Sequence, residues 1–328
     1  MIPRPACLVT GATGAIGPAV VEALRPDYAI RTFSRRPPPA GLFAGAVEAH
    51  TGDIADADAL GRAANGASAV VHLAALLHLV DPGPEMRAEY ERVNVQGTAA
   101  VVDAALSHQV SRLVLLSTIA VYGDTSGAVL TEESAPRPDT LYGETKLAAE
   151  RIGLAAHRAD GVPLVTVLRA GAVYGPRVKG NYQRLVQAIA RRRFIPIGPG
   201  SNRRTLIFEE DVASAVALAV RHPVAAGRIY NVSDGELHTM REIVAAIAAG
   251  LGRQPPAWHL PVSVARAAAG AASVLDRRFG RMLDTYLEDV AVEGERIRSE
   301  LGFRSEFDLA RGWARTIEQM GQDAAPER

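Results

Sequence analysis

The sequence predicts an α/β fold in which a doubly wound parallel sheet is covered by helices on both faces. Runs that are apolar throughout, such as 68–73 and 112–117, alternate with amphipathic segments along the first half of the chain. Such runs are typical of strands buried on both faces of a parallel sheet. A glycine-rich string directly follows the first apolar run, and after Gly175 the pattern loosens and becomes mostly helical. We therefore expect a smaller, mostly helical C-terminal lobe beside the sheet.

Apolar spacing and flanking Gly, Pro and Asp residues place the individual elements. The predicted strands are 6–10, 29–33, 46–51, 68–73, 112–117, 164–168, 206–208 and 228–232. The predicted helices are 16–24, 56–64 (capped by Asp56), 87–109, 141–158, 181–193, 211–221 and 239–251. Residues 194–204 are predicted to form a loop or short hairpin, 262–275 a packed helix, and the tail from Gln322 a disordered end.

Composition bounds the function class. The chain has 328 residues, with 36 basic and 36 acidic side chains and a formal net charge of zero. A protein whose main function is to bind nucleic acid or an anionic membrane needs an excess of basic residues, so we expect neither function. The zero net charge does not exclude a local basic patch. The single cysteine, Cys7, cannot form an internal disulfide, which favours a reducing, cytoplasmic location. We predict no signal peptide, membrane span or metal site.

The string 9–17 has glycines in the spacing GxxGxxG at the first strand–helix junction. The first glycine allows a tight turn, the second lets a diphosphate approach, and the third lets the helix pack on the strand. The helix N-terminus adds free N–H groups and a positive dipole. The alternative is a tight turn that binds nothing. The predicted cofactor contacts of this Rossmann-type loop are Gly11, Thr13, Gly14, Ala15, Ile16 and Gly17.

The end of the second strand discriminates between nicotinamide cofactors. NAD-binding folds often place a carboxylate there, whereas this chain has Ser34, Arg35 and Arg36. Two arginines could bind a 2′-phosphate, which slightly favours NADP over NAD, although solvated loop arginines are also common. Asp53 and Ile54 follow the third strand, where Asp53 could contact adenine or serve as a turn residue. Residues 1–175 form the predicted dinucleotide-binding domain, to which a strand and a helix near 205–235 return. Residues 176–328 form the predicted substrate lobe, which is interleaved with that domain.

Tyr142 and Lys146 stand four residues apart at the start of a predicted helix, so both side chains share one face. A nearby ammonium favours the phenolate, so we expect a lowered pKa for Tyr142 and proton exchange with a carbinol. A chance surface pair is the alternative. Thr118 closes the strand 112–117 at the edge where ligands bind, and could hydrogen-bond a substrate oxygen or merely cap the strand.

Many co-ordered segments resemble the extended short-chain dehydrogenase/reductases, the NAD(P)-dependent nucleotide-sugar epimerases, dehydratases and reductases. The resemblance runs from residue 7 to about 313. Its segments are TGATGAIG (10–17), GDI (52–54), VVHLAA (70–75), NVQGT (94–98), STIAVYG (117–123), YGETK (142–146), LRAGAVYGP (168–176), NRRTLIFEEDVA (202–213), YNVSDGE (230–236) and ELGF (300–303).

The resemblance implies a role for each matching position. Thr118, Tyr142 and Lys146 would be the catalytic residues, with Thr118 also touching the substrate, and Asn94 would shape the active site. The further implied contacts are Leu73, Ala74, Ala75, Tyr142 and Lys146 for the cofactor, and Asn181, Tyr182 and Arg204 for a nucleotide-sugar substrate. It also implies a homodimer through the helices at 87–109 and 141–158.

The reaction stays open between a 4-epimerase and a 4-keto reductase of nucleotide sugars, as in surface-polysaccharide biosynthesis. A dehydratase needs acid/base residues after the catalytic threonine, where this chain has Ile119 and Ala120. Ala172 replaces an asparagine that often touches the sugar nucleotide, while Arg203 and Arg204 as a pair favour a diphosphate. An NADPH-dependent reductase of a non-sugar ketone and a non-catalytic NADP-sensing regulator also stay open.

Overall fold

The computed structural model describes residues 4–77, 83–125, 127–273 and 278–323. Their centre is a seven-stranded sheet in the order β10-β6-β5-β4-β1-β2-β3, and every strand pair in it is parallel. The described strands are β1 (Ala6–Thr10), β2 (Ala29–Ser34), β3 (Glu48–Thr51), β4 (Ala67–His72), β5 (Arg112–Thr118), β6 (Val165–Ala170), β7 (Ala172–Tyr174), β8 (Arg203–Arg204), β9 (Leu206–Phe208), β10 (Ile229–Val232) and β11 (His238–Thr239). The predicted doubly wound Rossmann sheet is thus confirmed.

The order of the strands creates a crevice at the carboxyl end of β1. The chain moves outward from β1 to β2 and β3, then returns to the other side of β1 as β4. The connections after β1 and β4 therefore leave the sheet in opposite directions, which opens the space where such folds bind ligands.

Helices cover both faces of this sheet. They are α1 (Gly17–Leu24), α2 (Ala57–Ala64), α3 (Arg87–Tyr90), α4 (Gly97–Ser107), α5 (Leu141–Ala155), α6 (Asn181–Ala190), α7 (Glu209–Arg221), α8 (Met240–Gly250), α9 (Val262–Ser273), α10 (Arg278–Leu287), α11 (Glu295–Leu301) and α12 (Leu309–Asp323). Asp56 caps α2 as predicted, since its side chain accepts from the amide of Ala59. In the described part of the chain, no helix is long and apolar enough to cross a bilayer.

Two apolar layers lie on the two faces of the sheet. One layer packs α1 and α7 against the strands, and it includes Val212, Tyr230, Ile297 and Phe303 from the second half of the chain. The opposite layer packs α2, α4 and α5 against the sheet. A third cluster around Trp313 holds α6, α8 and α12 together. The second half of the chain is therefore part of the sheet's own core.

Several elements differ from the prediction. The helix expected over 87–109 contains a π-helical stretch, Glu91–Gln96, between α3 and α4. The expected loop ends in β8, which pairs with β11. The alanine-rich helix forms as α9, but most of its described side chains are exposed, so it is not the packed helix expected. The expected disordered tail begins inside α12, while 274–275 and 324–328 lie outside the described residues.

Candidate functional site

The glycine loop after β1 has no room for a side chain at Gly11 or at Gly17. Gly11 has φ of +70°, and a Cβ there would lie 2.6 Å from the amide nitrogen of Ala74. A Cβ on Gly17 would lie 2.1 Å from the carbonyl oxygen of Ala12. These glycines let the loop after β4 and the start of α1 approach the backbone after β1.

The N-terminus of α1 fits a diphosphate. Ile16 at the N-cap makes no side-chain capping hydrogen bond, and the first turn holds no acidic residue. Thr13 and Gly14 are exposed above it, and Ala15 and Ile16 are partly exposed. The helix therefore presents amide groups and positive dipole to an accessible loop, as a dinucleotide diphosphate requires.

The loops after β2 and β3 form a charge-balanced cluster. Ser34 donates its Oγ hydrogen to the Arg36 carbonyl at 2.7 Å. The side chains of Arg35 and Arg36 are both exposed. Asp53 accepts from the Ala55 amide at 3.0 Å and from Arg92 at 2.6 Å. The Ala55 amide and then Arg92 hold the pKa of Asp53 below its ordinary value, and Arg35 adds to this.

Arg92 also binds Glu89, with Nη2 and Oε1 2.8 Å apart, and Arg35 helps to lower the pKa of Glu89 as well. The cluster therefore holds two guanidiniums, Arg35 and Arg92, against two carboxylates, Asp53 and Glu89. Arg92 was not predicted from the sequence, since nothing in its spacing relates it to Asp53.

The segment Leu73–Ala75 leaves β4 beside the glycine loop and is half-buried. The amide of Leu73 donates to the carbonyl of Thr10 at 3.1 Å. The preceding His72 is buried between two hydroxyls, with Nδ1 2.7 Å from Thr10 Oγ1 and Nε2 3.1 Å from Thr98 Oγ1. Burial, and then the charge of Lys146, lower the pKa of His72 to about 3, so His72 is neutral.

Asn94 ties the segment after β4 to α5. Its Oδ1 accepts from the amide of Leu76 at 2.7 Å, while Nδ2 donates to the Leu76 carbonyl and to Thr145 Oγ1. Asn94 lies on the π-helical stretch and is buried. Its placement fits the site-shaping role that the resemblance implies.

The structure brings Thr118, Tyr142 and Lys146 to the carboxyl end of β5. Thr140 caps α5, so that Tyr142 and Lys146 lie in its first two turns. Lys146 is buried and its Nζ donates to the carbonyl of Leu116 at 2.6 Å. Thr118, two residues further along β5, accepts from the amide of Ala120 at 3.2 Å, so it also caps the turn that follows.

Burial governs the titration of this pair. It lowers the pKa of Lys146 to about 8, and Glu150 opposes that shift. Burial also raises the pKa of Tyr142, and the nearby Tyr90 raises it further. The expected lowering of the Tyr142 pKa by Lys146 is therefore not found in the protein alone. The ammonium points at the Leu116 carbonyl, and desolvation of the phenolate dominates.

A buried polar network lies beneath these residues. Glu150, one turn after Lys146, binds Arg169 of β6 with Nη2 and Oε2 2.6 Å apart and accepts from Ser117 at 2.5 Å. The Arg169 guanidinium lies 4.8 Å from the ring centre of Tyr122. Glu150 follows Lys146 by four residues and shares its helix face, and this spacing was the sequence signal that a carboxylate lies near the buried lysine.

The predicted substrate residues lie in the second lobe. Asn181 is exposed at the start of α6, and Tyr182 packs against Trp313 with ring centres 5.7 Å apart. Burial raises the pKa of Tyr182 to about 12, and Arg204 opposes this. Arg204 is buried and donates to the carbonyls of Thr285 and Tyr286.

The two adjacent arginines do not act as a pair. Arg203 binds Asp289, with Nη2 and Oδ2 2.6 Å apart, whereas Arg204 lies 3.7 Å from Glu288. Neighbouring side chains of a strand point to opposite faces, so β8 directs the two guanidiniums apart. The interpretation of Arg203 and Arg204 as one diphosphate clamp is wrong, and Arg204 alone stays a candidate. Ala172 lies on β7, partly buried beside the cluster around Trp313.

Residues 7–233 match the family described as NAD dependent epimerase/dehydratase. A UDP-glucose 4-epimerase of Vibrio cholerae is 27% identical over 95% of this chain and 94% of its own. A dTDP-glucose 4,6-dehydratase of Streptomyces griseus is 32% identical over 94% of this chain and 92% of its own. A solved structure described as MoeE5 in complex with UDP-glucose and NAD is 30% identical, with a TM-score of 0.80 over 98% of this chain and all of that one.

Proposed function

Because this chain belongs to the NAD-dependent epimerase/dehydratase family, we propose that it transfers hydride at C4 of a nucleotide-linked sugar. The observation that carries the proposal is the convergence of Thr118, Tyr142 and Lys146 at the carboxyl end of β5. That edge of the sheet also carries the glycine loop after β1 and Leu73–Ala75 after β4. A dinucleotide on the loop and a sugar beside Tyr142 would share one crevice.

Each side chain has a separate task in this reaction. A nicotinamide cofactor held by the glycine loop and Leu73–Ala75 would supply a reversible hydride acceptor for the sugar carbon. Tyr142 takes the proton of the sugar hydroxyl and gives it back, while Thr118 hydrogen-bonds the same oxygen. Lys146 is charged below its pKa of about 8. Its ammonium does not lower the pKa of Tyr142 in the protein alone, so it would favour the phenolate only once substrate and cofactor are bound.

The substrate we propose is a nucleoside diphosphate sugar. Arg204 is buried and supplies a cation near the start of α6, where Asn181 and Tyr182 lie. A solved neighbour holds UDP-glucose together with NAD. Ala172 leaves room where relatives often carry asparagine, so we expect the sugar to be held differently at that point.

The balanced charge of the cluster around Asp53 favours NAD. A 2′-phosphate would bring nearly two negative charges to a site where two carboxylates already offset two guanidiniums. The solved neighbour that holds UDP-glucose contains NAD, so the slight sequence-based preference for NADP has no support there. Retained NAD suits a reaction without net redox change, so we propose a 4-epimerase rather than a 4-keto reductase.

Dehydration fits the residues less well, although several relatives are described as dTDP-glucose 4,6-dehydratases. Ile119 and Ala120 follow Thr118 in a short 3₁₀ turn, and neither carries a group that can transfer a proton. Removal of a sugar hydroxyl needs such a group near it. We therefore propose that the C6 hydroxyl is retained.

Two measurements test the proposed function. Denaturing the purified protein and identifying the released nucleotide should yield NAD. Incubation with UDP-glucose, UDP-glucuronic acid or UDP-N-acetylglucosamine should convert at least one into its 4-epimer, without consumption of added NADPH. Consumption of NADPH with a 4-keto sugar would show that the protein is a reductase and not an epimerase. Retained NAD without turnover of any sugar would favour a non-catalytic regulator.

Substitutions in the charge-balanced cluster test the cofactor proposal. Arg35→Ala should weaken NADP binding far more than NAD binding, because it removes a positive charge near the ribose. Glu89→Gln should have the opposite effect and improve NADP relative to NAD. Isothermal titration of both cofactors measures this, with Arg62→Ala, at an exposed arginine of α2, as the control. Equal changes for both cofactors would contradict the proposed placement.

We also propose a homodimer through α4 and α5. Around these helices, apolar side chains that pack against the core layer stay partly exposed, among them Val93, just before α4, and Ala100, Leu106, Ile152 and Leu154. Light scattering during size-exclusion chromatography should give twice the chain mass of 34.7 kDa. Ile152→Glu should reduce it to the monomer mass.

A further inference from the structure

The zero net charge conceals a strongly basic part of the second lobe. Residues 177–208 contain eight basic side chains and no acidic one, and two of the eight, Arg203 and Arg204, face Asp289 and Glu288. Residues 243–275 likewise contain no acidic side chain. Like charges that are concentrated in this way create a local positive potential that the whole-chain sum does not reveal.

The structure places these two segments side by side. The amide of Leu260 donates to the carbonyl of Pro196 at 2.8 Å, and the amide of Gly198 donates to Leu260 at 2.9 Å. This parallel bridge puts Ile195 and Trp258, each two residues earlier, at the same level. A Cβ on Gly198 would lie 2.8 Å from Val262, so the start of α9 adjoins the bridge.

The surface formed there combines exposed apolar and basic side chains. Trp258 is 61% exposed, Val264 50% and Ile195 48%. Arg191, Arg192 and Arg193 follow α6, are separated from Ile195 by Phe194 alone, and are also exposed. Among the described residues, none of these three arginines forms an ion pair with a carboxylate. We call these six residues the arginine–tryptophan patch.

We propose that the arginine–tryptophan patch docks on the surface of an anionic lipid bilayer. Guanidiniums bind lipid phosphates, and indole rings lie at the boundary between headgroups and acyl chains. Two aliphatic side chains beside the indole would enter the same boundary. These features together match the interface of an anionic bilayer, which offers phosphate and hydrocarbon at adjacent depths.

The same features disfavour two other occupants. A second copy of the chain in a two-fold contact would bring the three arginines against three more, and like charges repel. Nucleic acid would satisfy the arginines but would leave Ile195 and Val264 without apolar partners. The patch lies near the proposed substrate residue Arg204, since the ring centres of Phe194 and Tyr286 are 6.3 Å apart and the Tyr286 carbonyl accepts from Arg204. The proposal does not depend on the reaction proposed above.

Tryptophan fluorescence of the full chain provides a direct test. The chain has two tryptophans, and Trp313 is buried whereas Trp258 is exposed. Vesicles of phosphatidylcholine with about 30% phosphatidylglycerol, a composition chosen for anionic charge, should shift the emission to the blue. Vesicles of phosphatidylcholine alone should leave it unchanged, and Trp258→Phe should abolish the shift.

Co-sedimentation with the same vesicles tests the arginines. Arg191→Glu/Arg193→Glu should reduce the bound fraction at least about tenfold, and added salt should act in the same direction. The matched control is Arg62→Glu/Arg304→Glu, two arginines that are also exposed but lie elsewhere. The control should bind like the unmodified chain, and both variants should retain the same circular dichroism.

Four results would overturn the proposal. The first is equal binding to anionic and neutral vesicles, and the second is an equal loss in the control variant. The third is release from vesicles by single-stranded RNA at equal phosphate concentration, which would assign the patch to nucleic acid. A mass change in Arg191→Glu/Arg193→Glu, measured by light scattering without vesicles, would assign it to a second copy and would equally overturn the proposal.

Discussion

Single side chains in this site are governed by desolvation more than by pairing. Tyr142 and Lys146 lie on one helix face, but burial raises the pKa of the phenol and lowers that of the ammonium. Both shifts favour the neutral forms, so the protein alone holds an uncharged tyrosine beside a lysine that titrates near neutral pH. In the proposed reaction, proton removal from Tyr142 would therefore require the positive charge of a bound cofactor or concerted transfer with the substrate.

Tyr142→Phe should reduce turnover of a nucleotide sugar at least about a hundredfold, because the variant has no hydroxyl to exchange a proton. Cofactor affinity should change little, since the ring remains. Steady-state kinetics and titration with NAD measure the two effects. Tyr28→Phe, a partly exposed tyrosine on the edge of the core, is the control and should keep normal turnover. Near-normal turnover of Tyr142→Phe would show that another group transfers the proton.

His72 gives a pH dependence of stability with a definite sign. Its pKa is 6.5 when unfolded and about 3 in the fold, because burial disfavours the imidazolium. Between these values the unfolded chain binds one more proton, so stability falls as pH drops, by about 1.4 kcal/mol per pH unit. Above an unfolded-state pKa of 6.5 this contribution is constant.

Urea denaturation of the unmodified chain and of His72→Asn between about pH 4 and pH 7 measures the contribution. Carboxylates affect both proteins alike and cancel in the difference. The unmodified chain should lose stability more steeply towards acid than the variant. Parallel curves would mean that His72 is protonated in the folded state.

At the scale of elements, the strand–helix junction after β1 is the most constrained part of the fold. Gly17 must lack a side chain because the carbonyl of Ala12 occupies the space, and α1 could not otherwise reach the sheet. The glycine spacing predicted this from the sequence, since only glycine permits such an approach. The π-helical stretch around Asn94 was not predicted, because helical spacing alone does not reveal one inserted residue.

Gly17→Ala should lower the melting temperature and weaken NAD binding, since helix and loop must move apart. Gly61→Ala is the matched control: this glycine lies inside α2, where a Cβ would come no nearer than 3.4 Å to a flexible histidine side chain. It should raise stability by about 0.5–1 kcal/mol, as alanine costs less backbone entropy in a helix. Calorimetry with and without NAD compares the two; similar effects of both variants would refute the steric argument.

At the scale of the whole molecule, the two predicted lobes share one core. The strand β10 completes the seven-stranded sheet beside β6, and α7 packs against α1. Ile297 and Phe303, near the end of the chain, belong to the same apolar layer as Val9 of β1. The cofactor-binding half is therefore buried in part by the half that would hold the substrate.

A fragment of residues 1–175 should not fold stably, because its sheet would lose the edge strand β10 and one of its faces would lose α7 and α11. We expect it to be insoluble or to lack a cooperative urea transition, and to bind no NAD. The full chain, which should unfold in a single transition, is the control. A soluble fragment with a cooperative transition would show that the first half forms an independent domain.

The sequence by itself determined the parallel sheet, the glycine junction and the position of Tyr142 and Lys146 on one face. All three depend on local rules: apolar runs, the absence of a Cβ, and the helical repeat. The tertiary structure decided which distant charges meet. It joined Arg92 to Asp53, Arg169 to Glu150, and separated Arg203 from Arg204.

Only the tertiary structure could decide these contacts, because they depend on burial and on which remote segments pack together, and not on the spacing of residues along the sequence. The same reason explains the alanine-rich helix. Its composition predicted a packed helix, but most of the described side chains of α9 are exposed although α10 contacts it, so an apolar segment lies near three exposed arginines. Local sequence determines what an element is, and the packing of remote segments determines which of its faces meets solvent, ligand or membrane.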